Sequence, residues 1–155
     1  MSGPGEESAA LPAPGLGRRL AAIVYDTLLV VPMLMVTVGI ALGVRTALGG
    51  AADTLLPPIA VQSLAVLCCI GFFSTFWLKS GQTLGMQAWR IRLVASPGNE
   101  LTFGRSVTRC GAALLSAACF GAGYLWCFID RRHRTWHDML SGTELQLMPK
   151  RRKGA

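Results

Sequence analysis

Three long apolar blocks constrain this chain more than any other feature of its sequence. They run from Leu20 to Val44, from Ile59 to Leu78 and from Cys110 to Ile129. A helix needs about 20 apolar residues to cross a bilayer core of roughly 30 Å, so each block is long enough to span a membrane. The first block contains one charged residue, Asp26, and the other two contain none. This pattern predicts an all-α membrane protein with three apolar helical segments.

The polar residues around the blocks predict one membrane domain with two tails. Residues 1–17 are rich in Gly, Pro and Ser, which predicts a disordered tail, residues 18–148 hold the transmembrane domain, and residues 149–155 form a basic tail. The formal net charge is +7. Because the basic residues flank apolar helices, the expected partner is a lipid bilayer with anionic headgroups, and no binding to nucleic acid is expected.

The distribution of Lys and Arg predicts the orientation of the helices. The N-terminal tail ends in Arg18 and Arg19, and the segment from Lys79 to Arg109 holds five basic residues. The loop between the first two blocks holds only Arg45. Because basic residues accumulate on the cytoplasmic side, we predict a multi-pass protein of the cell (inner) membrane with a cytoplasmic N-terminus.

The third block has two interpretations. A full third crossing would place the C-terminal tail outside, although that tail is the most basic segment. The segments Ile91–Val94 and Thr143–Met148 alternate in polarity as short strands do, and together they predict a two-stranded cytoplasmic ribbon. Such a ribbon requires the chain between its strands to return to its own side, with the break at Gly121 to Gly123. The third segment is therefore either spanning or re-entrant.

Asp26 is the residue that most strongly indicates a functional site. An acid inside a spanning helix costs roughly 2.5–3.5 kcal/mol on insertion scales, and it usually faces water or a bundle interior and has a partner. Arg19 lies seven positions earlier, on nearly the same helix face, and either Arg19 or an arginine of the basic loops is the expected counter-ion. Asp26 is therefore either a proton or cation site, or half of a permanent ion pair that fastens the helix to the basic segments.

The segment after the third block contains His133, His137 and Asp138. Two histidines four positions apart share one face of a helix, and this spacing suits a metal ion. However, no glutamate follows the first histidine as the zinc-protease motif requires, and no third ligand is compelling. We therefore predict no metal, no cofactor and no enzymatic activity, with a membrane metalloenzyme as the weaker alternative.

Four ordered motifs resemble those of the RDD family of small, mostly prokaryotic membrane proteins. They are RRLAAIVYD (Arg18–Asp26), GQTLGMQAWRIRLV (Gly81–Val94), LTFGRSVTR (Leu101–Arg109) and RTWHDMLSGTELQL (Arg134–Leu147). The family takes its name from an arginine and two aspartates, which the resemblance places on Arg19, Asp26 and Asp138. The sequence departs from the family at Met86 and Gln87, where a basic residue is common.

The resemblance implies a transport role without naming a substrate, since some members are similar to cation–proton antiporters in activity. We predict a transport or ion-translocating component in which the three family residues form one cytoplasmic polar cluster. The predicted supporting residues are Arg90, Arg109, Arg134 and His137. Because three helices are too few to enclose a wide pathway, a homo-oligomer or a membrane-protein partner is expected. The alternative function is a membrane scaffold or assembly factor that binds another membrane protein.

Overall fold

Two long helices dominate the fold. In this computed structural model the described residues are 11–50, 56–98, 100–131 and 133–149. Helix α1 is Leu16–Ala47 and helix α2 is Pro58–Ser80. Both are long and apolar enough to cross a membrane, with mean hydropathies of 2.4 and 2.0 in their most apolar stretches. They confirm the first two predicted segments and extend each by a few residues.

The ends of α2 follow from its sequence. Pro58 occupies the first helical position, where its missing N–H is not needed. Gly81 ends the helix in a left-handed conformation with φ of 71°, which glycine adopts without steric cost. Its N–H donates to the carbonyl oxygen of Trp77 at 2.9 Å. The turn that follows leads into the short helix α3, Leu84–Ala88.

A two-stranded antiparallel ribbon joins distant parts of the chain. Strand β1 is Ile91–Ala95 and strand β2 is Thr143–Leu147, with Ile91 opposite Leu147 and Ala95 opposite Thr143. The ribbon confirms the prediction made from alternating polarity. Ile91 and Leu93 on β1 are almost fully buried, and they pack with residues of α1, α2 and α3.

The third apolar block is bent rather than straight. Helix α4 is Phe103–Ala118 and helix α5 is Ala122–Leu125, which continues as a 3-10 turn over Trp126–Phe128. The two parts meet at an angle of 106°, and Gly121 with φ of 80° lies at the break. Helix α6, Trp136–Ser141, then packs back against α4 and leads into β2.

The predicted helix from Cys110 to Ile129 is therefore wrong in its boundaries. Helix α4 begins earlier because the side chain of Thr102 caps it, accepting a hydrogen bond from the N–H of Arg105. The glycine break ends it before the predicted boundary. Since β1 and β2 are paired, the chain enters and leaves this bent segment at the same end of the molecule. The bent segment has the form of a broken span or a re-entrant loop, and the pairing of the strands favours the re-entrant interpretation.

The chain just before α1 is held by two proline carbonyl groups. That of Pro12 accepts from the N–H of Leu147 at 2.9 Å, and that of Pro14 accepts from Nε of Arg19 at 3.0 Å. Because of these tertiary contacts, the disorder predicted for residues 1–17 is wrong from Pro12 onward. Residues 1–10 and 150–155 of the predicted tails lie outside the described residues.

Candidate functional site

Asp138 is the centre of a buried ion-pair network that joins three helices. Its Oδ2 lies 2.8 Å from Nη1 of Arg19 on α1, and its Oδ1 lies 2.7 Å from Nη1 of Arg109 on α4. Less than a tenth of each side chain is exposed. With two guanidinium groups sharing one carboxylate, the network carries a net positive charge.

The local sequence of α6 positions the Asp138 carboxylate. Thr135 caps the helix: its Oγ1 accepts from the N–H of Asp138 at 3.4 Å, and Oδ2 of Asp138 accepts from the N–H of Thr135 at 2.9 Å. This reciprocal pair is a capping box, which satisfies two backbone donors at once. The same carboxylate therefore starts α6 and attaches it to α1 and α4.

Both arginines of the network make further contacts. Arg19 donates from Nη2 to the carbonyl oxygen of His133 at 2.9 Å. Arg109 donates from Nη1 to Oγ1 of Thr143 at 2.8 Å, and its guanidinium lies 5.6 Å from the ring centroid of Trp77. A cation over the face of a tryptophan ring is attracted to it. The network thus reaches α2 and the ribbon as well.

The pKa values of both titratable groups of α6, Asp138 and His137, are lowered, but for different reasons. Burial alone would raise the pKa of Asp138, but the guanidinium groups of Arg109 and Arg19 outweigh it and hold that pKa well below its usual range. Burial, followed by the charge of Arg109, lowers the pKa of His137 to about 4. At neutral pH, Asp138 is therefore ionised and the imidazole of His137 is neutral.

The stability of the folded protein should fall as the pH is lowered from about 6.5 towards 4. The folded-state pKa of His137 lies below its unfolded value of 6.5, so its contribution is present above pH 6.5 and is lost as the pH falls through about 4. The expected loss is on the order of 3 kcal/mol. His137→Gln should flatten this part of the curve of melting temperature against pH, measured by circular dichroism in detergent. His133→Gln, at an exposed histidine, is the control, and equal slopes in wild type and His137→Gln would contradict the assignment.

Asp26 makes a separate set of contacts. Its Oδ2 accepts from Oγ1 of Thr83 at 2.5 Å, and its Oδ1 accepts from the N–H of Gly85 at 2.9 Å. Within the described part of the chain, no basic side chain forms an ion pair with Asp26. The predicted pairing of Arg19 with Asp26 is therefore wrong, whereas Arg19 and Asp138 of the predicted cluster do meet. The start of α3 supplies neutral donors to Asp26, and α6 supplies the counter-charge to Arg19.

Glycine at position 85 allows α3 to lie directly on α1. A Cβ atom there would collide with the carbonyl oxygen of Ala22 and would lie 2.9 Å from Cγ and Oδ1 of Asp26. The backbone of Gly85 can donate to the buried carboxylate only because no side chain separates the two helices. Sequence reasoning missed this role, since the contact partner lies 59 positions away.

The predicted supporting residues divide into two pairs. Two of them lie at the network: Arg109 and His137. The other two lie elsewhere, because Arg134 pairs with Asp130 at 3.1 Å near the surface and Arg90 stands just before β1. The carbonyl oxygen of Arg90 accepts from the N–H of Met148 at 2.8 Å, which closes the end of the ribbon.

The two histidines do not converge on a common point. The Nδ1 of His133 lies 3.1 Å from the carbonyl oxygen of Cys127, whereas the ring of His137 packs against Tyr124 with centroids 4.6 Å apart. Over residues 11–50, 56–98, 100–131 and 133–149, no group of three His, Cys, Asp or Glu side chains is arranged to hold a metal ion. Only His137 lies on α6, whereas His133 precedes it, so the two histidines do not share one helix face as their spacing suggested.

Three threonines at the site were also missed by the sequence analysis. Thr83 and Thr135 are helix caps, and Thr143 binds Arg109 from the first position of β2. The cap of α6 could have been predicted from the sequence, because a threonine followed three positions later by an acid is a capping-box pattern. The roles of Thr83 and Thr143 depend on partners from distant helices and have no comparable signal.

A cavity of about 510 Å³ lies between α1, α2 and α4 and connects the two polar sites. Most of its wall is apolar, including Val30, Ile70 and Leu114. The ionisable and hydroxyl-bearing groups at its polar end include Arg19, Asp26, Arg109, Tyr124 and His137. The cavity therefore has an apolar wall and one strongly polar end.

Two apolar helices of spanning length, a bent apolar segment and a buried polar network at one end define a small integral membrane protein of the helical type. The sequence profile of the RDD family matches residues 13–142 of this chain. The chain therefore belongs to the RDD family, as the four motifs indicated. No curated protein and no solved structure was found to match it.

Proposed function

We propose that this RDD-family protein is a transport or ion-translocating component of the cell membrane, with Asp26 as its ionisable group. One observation carries the proposal: Asp26 is held by a hydroxyl and an amide, whereas Asp138 is held by two guanidinium groups. A carboxylate paired with buried arginines stays ionised, because its protonation would leave their charge uncompensated. A carboxylate bonded only to neutral donors takes up a proton or binds a cation without that penalty.

The position of Asp26 supports the same function. Its side chain lines the cavity between α1, α2 and α4, on a helix of spanning length. Intramembrane acids that face a cavity commonly mark ion pathways. The monomer does not enclose the cavity, since almost none of the most apolar stretches of α1 and α2 is buried. The pathway therefore requires a second copy of the chain or a membrane-protein partner.

We place the N-terminus and the ribbon on the cytoplasmic side. The start of α1, the end of α2 and both ribbon strands meet at one end of the molecule, where the basic residues of the network also lie. Reporter fusions at either terminus should therefore give the same cytoplasmic signal, because the bent third segment returns to its own side. An external C-terminus combined with a cytoplasmic N-terminus would contradict this topology.

Asp26→Asn tests the transport role. Asparagine keeps an oxygen for Gly85 and a polar contact for Thr83 but does not titrate, so we expect a folded protein with lost flux. In proteoliposomes, cation flux driven by a pH gradient should fall about a hundredfold, the scale on which a proton-transferring group acts. Asp130→Asn, which alters a carboxylate near the surface, is the matched control. Equal flux in Asp26→Asn and wild type, or none in the wild type, would refute the role and favour a scaffold.

A further inference from the structure

The polar end of the cavity holds hydrogen-bonding groups that the fold leaves without partners. Both described polar contacts of Arg109 are made by Nη1, to Asp138 and to Thr143. The buried Nε1 of Trp77 and Nδ1 of His137 have no hydrogen-bond partner among the described residues. Arg109, Trp77 and His137 all line the cavity, and the first two lie against each other. Buried polar groups normally find partners, so two such groups beside a buried guanidinium indicate a ligand.

The net positive charge at the polar end of the cavity favours an anionic ligand. Arg19 and Arg109 share the single carboxylate of Asp138, and His137 is neutral because burial lowers its pKa to about 4. The remaining acid, Asp26, already accepts hydrogen bonds with both oxygens. The indole N–H of Trp77 is a donor without a partner, and the guanidinium of Arg109 beside it has further N–H groups that can donate. A phosphate supplies both the negative charge and the acceptor oxygens.

The apolar wall of the rest of the cavity is suited to a hydrocarbon chain. Its wall is apolar along α1, α2 and α4, and its volume of about 510 Å³ falls within the range of sites for molecules of moderate size. Val66 and Leu114 line it and are 40% and 57% exposed, so the cavity opens sideways between the helices. In a membrane this opening faces lipid, and the polar end lies at the ribbon, where headgroups would be.

We propose that this cavity binds one anionic phospholipid from the bilayer, with its phosphate at Arg109 and an acyl chain along α1, α2 and α4. This is a defined binding site for one lipid molecule. It differs from the general attraction of anionic lipid to the basic residues that flank the apolar helices. The phosphate contacts are made by Arg109 and Trp77 rather than by Asp26, so lipid binding is tested separately from ion flux, although Asp26 lines the same cavity.

Native mass spectrometry of the full-length protein in detergent, with equal amounts of phosphatidylglycerol and of diacylglycerol, which lacks the phosphate, tests the site. Wild type should retain one phosphatidylglycerol with about a tenfold preference, the factor for one charge-assisted hydrogen bond. Ala113→Phe, which fills the wall of the cavity, should abolish retention. Ala118→Phe, at an exposed position of α4 outside the lining, should retain the lipid.

Trp77→Phe tests the headgroup contact without filling the cavity. It keeps an aromatic ring beside Arg109 but removes the N–H donor, so the preference for phosphatidylglycerol should fall roughly three- to tenfold. Excess inorganic phosphate should not displace the lipid, because the acyl chain contributes to binding. Equal retention of both lipids by wild type, displacement by phosphate, or unchanged retention by folded Ala113→Phe would overturn the proposal. If Ala113→Phe does not fold, an unchanged preference in Trp77→Phe overturns it.

Discussion

Asp138→Asn should destabilise the folded protein by about 3–5 kcal/mol, the range for removal of one partner from a buried ion pair. The substitution preserves side-chain shape and an oxygen that accepts from the N–H of Thr135, so the helix cap is largely kept. It removes the charge that compensates Arg19 and Arg109, both of which are 5% exposed. The dominant loss is therefore electrostatic and falls on two buried guanidinium groups at once.

The free energy of unfolding of Asp138→Asn is measured by titration with sodium dodecyl sulfate in mixed micelles, followed by circular dichroism. The matched control is Glu144→Gln, whose carboxylate on the ribbon makes one long contact with Ser96 at 3.4 Å. We expect the control to change stability by about 1 kcal/mol or less. A loss in Asp138→Asn as small as in the control would show that the network does not hold the helices together.

A double-mutant cycle separates the charge from the cap. Arg109→Gln alone removes one of the two positive charges, and combined with Asp138→Asn it leaves fewer charges uncompensated. The double variant should lose less stability than the sum of the two single variants, with a coupling of roughly 0.5–3 kcal/mol. Strict additivity would indicate that Asp138 stabilises the fold independently of its ion pair with Arg109.

Gly85→Ala should cost about 3 kcal/mol by separating α3 from α1. Overpacking typically costs 1–3 kcal/mol, and the displaced N–H would leave the buried carboxylate of Asp26 short of one donor. The same titration measures the loss, and hydrogen exchange at the Thr83–Ala88 amides should show that it is concentrated at this contact. The backbone of α1 cannot move aside readily, because the colliding atom is the carbonyl oxygen of Ala22.

Gly111→Ala is the control for Gly85→Ala. It lies inside α4, and no heavy atom of the described chain would approach its Cβ within 4 Å. Alanine is favoured over glycine in a helix by up to about 1 kcal/mol, so this variant should be neutral or more stable. If both glycine variants were equally stable, the contact between α3 and α1 would not be needed for folding.

The two long helices, α1 and α2, and the ribbon were predictable because local rules govern them. In lipid, a chain must satisfy its backbone hydrogen bonds internally, so an apolar run of sufficient length becomes a helix such as α1 or α2. Alternating polarity likewise predicts β1 and β2, and the glycines around Gly121 mark the bend that follows α4. The four family motifs added Arg19, Asp26 and Asp138 as residues of interest.

The partners of those residues were decided by tertiary structure alone. Arg19 meets Asp138 across 119 positions of sequence, and Asp26 meets Gly85 across 59. Helix periodicity places Arg19 and Asp26 on a common face of α1 but does not say which element packs against each turn. The network at Asp138 and the neutral donors at Asp26 arise from α6 and α3 docking at different levels of α1. The sequence by itself thus determined a helical membrane protein of the RDD type. Only the docking of distant helices decided which aspartate is paired with arginines and which is held by neutral donors, because burial and counter-charge are properties of the packed chain.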